Sequence, residues 1–221
     1  MAKYTKTEQR PADADKVTGN YVETAKELYS NAGIVDSKQD RPYLTTSVWR
    51  HTASRLPWLI GLVFALLIAG VLITFYEESF MKMPILVAFI PMLMGIAGAG
   101  GSQSATVIVR ALAIGEITTK QYLRAFWKEA RISVLCGAAI GLFGLVYILL
   151  TENGNWLLGS VLMLTLLATI IFAKLLGMLL PIGAKKVRID PALISSPFVT
   201  IIADIFAIWV YFSFAQMILG I

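Results

Sequence analysis

The stretch Pro91-Met92-Leu93-Met94-Gly95-Ile96-Ala97-Gly98-Ala99-Gly100-Gly101-Ser102-Gln103 lies inside an otherwise apolar run and decides how the chain is read. A helix facing only lipid has no use for four glycines and a proline packed this closely. Glycine weakens a helix and lets neighbouring backbones approach, and Pro91 cannot donate a hydrogen bond to the carbonyl of Val87. In a bilayer, irregular backbone is tolerated only where it is buried in protein or lines a wet cavity. The spacing therefore predicts a close, irregular segment. The rest of the chain reads as scaffolding for it and for one acidic residue, Asp204, expected to face it.

Composition agrees with a membrane setting. The 221 residues are 57% hydrophobic and only 15% charged, against about 45–50% and roughly 25% for soluble domains. Mean hydropathy is +0.71. The net charge of +5 raises nucleic-acid binding as an alternative, but the basic residues fall between apolar runs rather than along one stripe, so no nucleic-acid partner is expected. A single cysteine, Cys136, excludes an intrachain disulfide and a cysteine metal cluster. The first forty residues are polar and carry no signal-peptide pattern.

Residues 1–43 form a hydrophilic cytoplasmic segment with one short helix in prospect, capped by Asn20 with Glu23 three residues on and Gly33 past its end. Residues 44–56, with Trp49, Arg50 and Arg55, predict a juxtamembrane connecting helix. Residues 57–221 then hold five runs near 57–76, 84–109, 130–151, 156–182 and 194–220, each long enough to span, since about 20 residues cross the hydrocarbon. Pro57 suits the first turn of the first span. The expected fold is an all-α membrane protein with five transmembrane helices per protomer.

Charge sets the topology. Eleven basic residues, from Arg41 to Arg188, flank the spans on one side, and Lys82 alone stands on the other beside Glu77, Glu78 and Glu152. This predicts a multi-pass protein of the cell membrane, in contact with lipid, with a cytoplasmic N-terminus and an external C-terminus. Trp58, Trp127 and Trp156 fall at span ends, where amphipathic rings prefer to sit. The turn Glu152-Asn153-Gly154-Asn155 links spans three and four as a tight hairpin.

Asp204 lies about ten residues into the last span, where a carboxylate costs about 2.5–3.5 kcal/mol on insertion scales. It needs a cavity, a cation or a partner. Pro197, Thr200, Ala207 and Tyr211 share its face at helical spacing, and Pro197 leaves the carbonyl of Leu193 without its usual donor. Carboxylate, hydroxyl and carbonyl oxygens suit hard cations such as Mg2+ or Ca2+. The bland alternative is a protonated or lysine-paired Asp204 in a packing role. Lys174, the other ionisable residue singled out at depth, is close enough to the cytoplasmic end to snorkel; a salt bridge to Asp204 is the competing expectation.

Along the glycine-rich segment, Ala99, Ser102 and Thr106 share a helical face, and Gln103 adds an amide. Pro91, Gly95, Gly98, Ala99, Ser102, Gln103 and Thr106 are thus candidates to line a pore, joined by Pro197 and Ala207 from the last span. Plain helix packing through Gly95 and Gly98 competes with this. Glu77 and Glu78, outside the first span, would concentrate cations at a pore mouth or form a solvated loop. Enzyme readings fare poorly. The only histidine, His51, lies outside the spans, and Asp190 and Asp204 would stand about 21 Å apart on one helix.

These motifs together resemble the membrane domain of the MgtE magnesium channels and their eukaryotic solute-carrier relatives. The resemblance runs from about Leu56 to Gly220 and is most specific in Pro91-x-x-x-Gly95-x-x-Gly98-Ala99-Gly100-Gly101-Ser102-Gln103, followed by Val109-Arg110-Ala111-Leu112-Ala113-x-Gly115-Glu116. Asp190-Pro191-Ala192, Ser196-Pro197 and Asp204 extend it, with Gly177-x-x-x-Pro181 ending span four. It implies a homodimer with the pore between two copies of spans two and five. It implies that Asp204 binds hydrated Mg2+, that Ala192 and Pro197 lie near the cytoplasmic mouth, and that Glu78 matches an acidic residue of the outer loop; Thr200 joins the metal candidates through its spacing from Asp204.

Two departures stand out. Ala99 replaces a pore-lining Asn of the family, and no segment resembles the family's N-terminal helical domain or its tandem CBS domains. The function expected from all of this is passage of Mg2+, or other divalent cations, into the cytoplasm down its electrochemical gradient. A Na+-coupled Mg2+ exchanger and a non-transporting membrane assembly subunit remain alternatives.

Overall fold

Long apolar runs in a bilayer leave the backbone to satisfy its own hydrogen bonds, and a helix does this within one segment. Every long element among the described residues is accordingly helical. The computed structural model describes residues 44, 46–118, 121–187 and 191–221; the short helix expected within residues 1–43 lies outside them. The elements are α1 (Val48–Thr74), α2 (Glu77–Lys82), α3 (Ile85–Ala113), α4 (Tyr122–Thr151), α5 (Trp156–Lys186) and α6 (Pro191–Leu219). Among the described residues, five are long and apolar enough to cross a membrane: α1, α3, α4, α5 and, over Pro197–Leu219, α6.

Several helix ends differ from the sequence expectation. Pro57 stands inside α1, not in its first turn. It removes only the bond to the carbonyl of Ala53, and a helix already nucleated upstream propagates across it. α1 therefore runs without a break from Val48 across the expected start of the first span at residue 57. α4 starts at Tyr122, eight residues ahead of the expected 130, because its first turns are polar but still helix-forming. The residues after α1 hold the short helix α2, with Glu77 and Glu78 in its first turn, where their charge suits the helix dipole.

From Leu59 onward the chain forms one compact unit. α5 packs against α3, α4 and α6, and α3 also packs against α6. The hairpin between α4 and α5 turns through Asn153 and Gly154, both at positive φ (50° and 76°). The side chain of Asn155 accepts from the Leu158 amide at 3.0 Å and so caps α5. Gly137 then faces Leu167, Gly141 faces Met163, and Gly159 faces Leu145, an antiparallel register in which small residues admit the partner helix.

α3 and α5 run side by side in the same direction. Gly101 meets the backbone of Ala173, and a methyl group at Gly177 would collide with the carbonyl of Gly101. At the shared end of the two helices, Lys185 Nζ donates to the carbonyl of Leu112 at 2.7 Å, a cation set on a helix C-terminus.

The interior has three layers. One end is bulky, with Leu86, Phe89, Leu93, Leu162, Ile208, Tyr211 and Phe212. The other holds Ile108, Leu112, Ala125, Met178 and Ile182. Between them the packing narrows to Ala97, Ala173, Ala203 and Ala207. The candidate site lies at this waist of small side chains.

Candidate cation site

The glycine-rich segment is a regular helix, which corrects the expectation of irregular backbone. α3 runs unbroken from Ile85 to Ala113 through Pro91 and all four glycines. Each glycine weakens a helix by up to about 1 kcal/mol relative to alanine. Close contacts with α5 and α6 offset that weakness on the inner face. Gly98 lies under Thr200, 2.8 Å from where its own Cβ would stand, and Gly101 lies against Val199 and Ala173. The need was for proximity, and an unbroken helix meets it.

The outer face of α3 is different. Pro91, Gly95 and Ala99 are exposed, Ser102 is half-buried and Thr106 is exposed, a continuous stripe turned away from the protomer's own core. Gly95 has nothing within 4 Å of a Cβ position, so packing within this protomer does not account for it. Gly98 belongs to the inner face and serves packing. Thr106 returns its hydroxyl to the carbonyl of Ser102 at 2.8 Å.

Asp204 is 5% exposed, and its Oδ1 has no hydrogen-bond partner among the described residues. A buried carboxylate oxygen left in this state costs free energy unless something binds it. The face that carries it is the one the spacing indicated: Thr200, Asp204, Ala207 and Tyr211 all turn inward. Thr200 Oγ1 lies 3.4 Å from Ser102 Oγ, which joins this face to the polar stripe of α3. Tyr211 instead donates to the carbonyl of Leu86 at 3.0 Å and locks α6 to the start of α3. Ala207 is fully buried in the small-residue waist. Pro197 is half-buried. Ala192 lies in the first turn of α6, and the placement of its side chain is outside the described residues. Glu78 sits exposed on α2, on a different element from Asp204.

Lys174 corrects the sequence expectation. It neither snorkels nor reaches Asp204. It is 5% exposed, and its Nζ donates to Oε1 of Gln103 at 2.7 Å. Snorkelling is superfluous where an amide oxygen is aimed at the ammonium inside the bundle. Gln103 thus spends its acceptor on α5, while its chain neighbour Ser104 donates to Oε1 of Glu129 on α4 at 2.5 Å. Glu129 is 8% exposed, and sequence reasoning passed over it. Extending the α4–α5 register brings it level with Lys174. The overlooked signal is the stripe Ala125, Glu129, Ser133 and Gly137, every fourth residue, all buried.

No cluster of three or more His, Cys, Asp or Glu occurs among the described residues. One protomer therefore offers a single carboxylate with hydroxyl neighbours. That set is too sparse to strip a hard cation of its water, and it suits an ion that keeps much of its hydration.

Comparison with known proteins agrees with this geometry. The family profile described as MgtE, divalent cation transporter, matches residues 90–214, more than half of the chain and most of α3 and α6. A magnesium transporter MgtE of Bacillus subtilis (strain 168) is 35% identical over 161 residues, covering 73% of this chain. Others of the same name, from Thermus thermophilus and Enterococcus faecalis, are 32% and 33% identical over 75% and 88% of the chain. The matches span only 36–42% of the relatives' own lengths. A multi-pass helical bundle, a buried carboxylate at its waist and the matched segment agree: the chain belongs to the MgtE family of divalent cation transporters.

Proposed function

We propose that this chain carries Mg2+ across the cell membrane, as a homodimer whose passage lies between two copies of α3 and α6. The observation that carries the reading is Asp204, a buried carboxylate with an unpartnered oxygen beside the glycine-rich helix of a transporter family. In the dimer two Asp204 side chains would hold the ion through its water shell, with Thr200 and Ser102 supplying hydroxyls on the same path. Mg2+ dehydrates reluctantly, so contact through waters is the physically reasonable mode. The outward stripe of Pro91, Gly95, Ala99, Ser102 and Thr106 forms the wall. Ala192, Pro197 and Glu78 belong to its two mouths.

The cation enters the cytoplasm down its electrochemical gradient. The eleven-to-one bias of basic residues supports a cytoplasmic N-terminus and an external C-terminus. The test is flux into liposomes holding the purified chain. Asp204→Ala is expected to lower Mg2+ flux at least about tenfold, the equivalent of some 1.4 kcal/mol. Flux that survives Asp204→Ala would overturn the site, and flux that requires a Na+ gradient would replace passive passage with exchange.

A further inference from the structure

A second charged feature lies at the other side of the bundle and takes no part in the cation path. On α4, Arg124, Lys128 and Arg131 recur at spacings of four and three residues, so they line one side of the helix with Trp127 between them. All four are exposed. With Leu123 and Ile132 they form one open face of α4. Among the described residues, no acidic side chain pairs with any of the three cations. The acid nearest in sequence, Glu129, points into the bundle and takes Ser104. Lys174 is engaged by Gln103 and Lys185 by the Leu112 carbonyl; what sets the three cations of α4 apart from exposed Arg110 and Lys186 is that they lie together on one face with Trp127.

Depth identifies the ligand. α4 has 30 residues, hence a length of about 45 Å, whereas the hydrocarbon is about 30 Å thick. From Ile132 to Leu150 the helix carries no charged residue, and this part fills the hydrocarbon. The turns ahead of Ile132 therefore enter the headgroup layer, roughly 5–7 Å deep on each side, which sets Arg131 and Lys128 at the level of lipid phosphates, with Trp127 about 8 Å and Arg124 about 12 Å beyond Ile132 at its outer edge. Leu135, 72% exposed, continues the same helix into the apolar zone.

We propose that this face of α4 seats the headgroup of an anionic phospholipid. Lys128 and Arg131 take its phosphate oxygens, Arg124 meets the outer part of the headgroup with Trp127 beside it, and the acyl chains run past Ile132 and Leu135. Basic pockets at the end of a membrane helix recognise phosphate in this way. The site is independent of the cation reading, since none of its residues lines the α3–α6 face.

Native mass spectrometry of the full purified chain, offered equal amounts of phosphatidylglycerol and phosphatidylcholine, tests the inference. The wild type is expected to prefer the anionic lipid by roughly two orders of magnitude, about fivefold for each cation. The triple variant R124Q/K128Q/R131Q should lose that preference, and the charge-preserving R124K/K128R/R131K should keep it. R110Q/K186Q, which removes two exposed cations at the same end of the bundle, should also keep it. An undiminished preference in the first variant, or an equal loss in the R110Q/K186Q control, overturns the site. So does displacement of the lipid by millimolar inorganic phosphate, or cross-linking of Lys128 to an acidic residue of segment 1–43 in place of lipid.

Discussion

Ala99 shows what one side chain decides. It sits exposed in the middle of the outward stripe of α3, two positions beyond buried Ala97 and three before half-buried Ser102. A methyl group there offers no oxygen to a hydrated ion. Replacing it with an amide, Ala99→Asn, should sharpen discrimination of Mg2+ against Ca2+ by severalfold, about 1 kcal/mol for one net hydrogen bond. Competition flux assays across Mg2+, Ca2+, Mn2+, Co2+ and Zn2+ measure it. Unchanged ratios would remove Ala99 from the passage. The inward face of Asp204 and the stripe that Ala99 shares with Ser102 and Thr106 were legible from sequence through helical spacing. Glu129 was not, since it sits beside Lys128 and Arg131, where charge is expected anyway. Only the four-residue period, which turns it inward, separates it from them.

At the scale of helices, the contact of α3 with α5 is backbone on backbone. Gly177 stands against the carbonyl of Gly101, so Gly177→Ala forces the two helices apart. It should destabilise the bundle by about 1–3 kcal/mol, the usual penalty for overpacking, read as a lower unfolding temperature in detergent. The bonds of α3 to α4 and α5 should behave as separable pairs. A double-mutant cycle of Ser104→Ala with Glu129→Gln is expected to give a coupling of about 0.6–1.7 kcal/mol, as for polar contacts between membrane helices. Zero coupling would mean that the bond contributes nothing. Among the described residues, five of the six helices were readable as apolar runs, and the starts of α3, α5 and α6 fall within three residues of the expected ones. The starts of α1 and α4 were not readable: Pro57 lies inside α1 and the polar turns of α4 are helical, because a nucleated helix outlasts local signals that would prevent one from starting.

For the molecule as a whole, the inner and outer faces of α3 divide the work. Gly98, Gly100 and Gly101 are buried within the protomer, whereas Pro91, Gly95 and Ala99 are exposed. The sequence announced the glycines but not this division, which depends on which neighbours arrive on which side. In the proposed dimer the exposed stripe faces its own copy. With Cys136 replaced by Ser, Ala99→Cys should cross-link between protomers under oxidation, and Leu135→Cys, on the exposed side of α4, should not. Cross-linking at position 135 in place of 99 would put the partner on the wrong helix.

The meeting of Gly101 with Gly177 carries a mechanical consequence. Two backbones in contact have no side chains between them to yield, so α3 cannot turn about its own axis without first lifting away from α5. Rotating a lone helix is therefore an expensive way to widen the passage. Movement would be shared by α3 and α5 together, with α4 carried along by its tight hairpin. Each protomer would then act as one jaw, and the aperture would be set by how far two jaws stand apart.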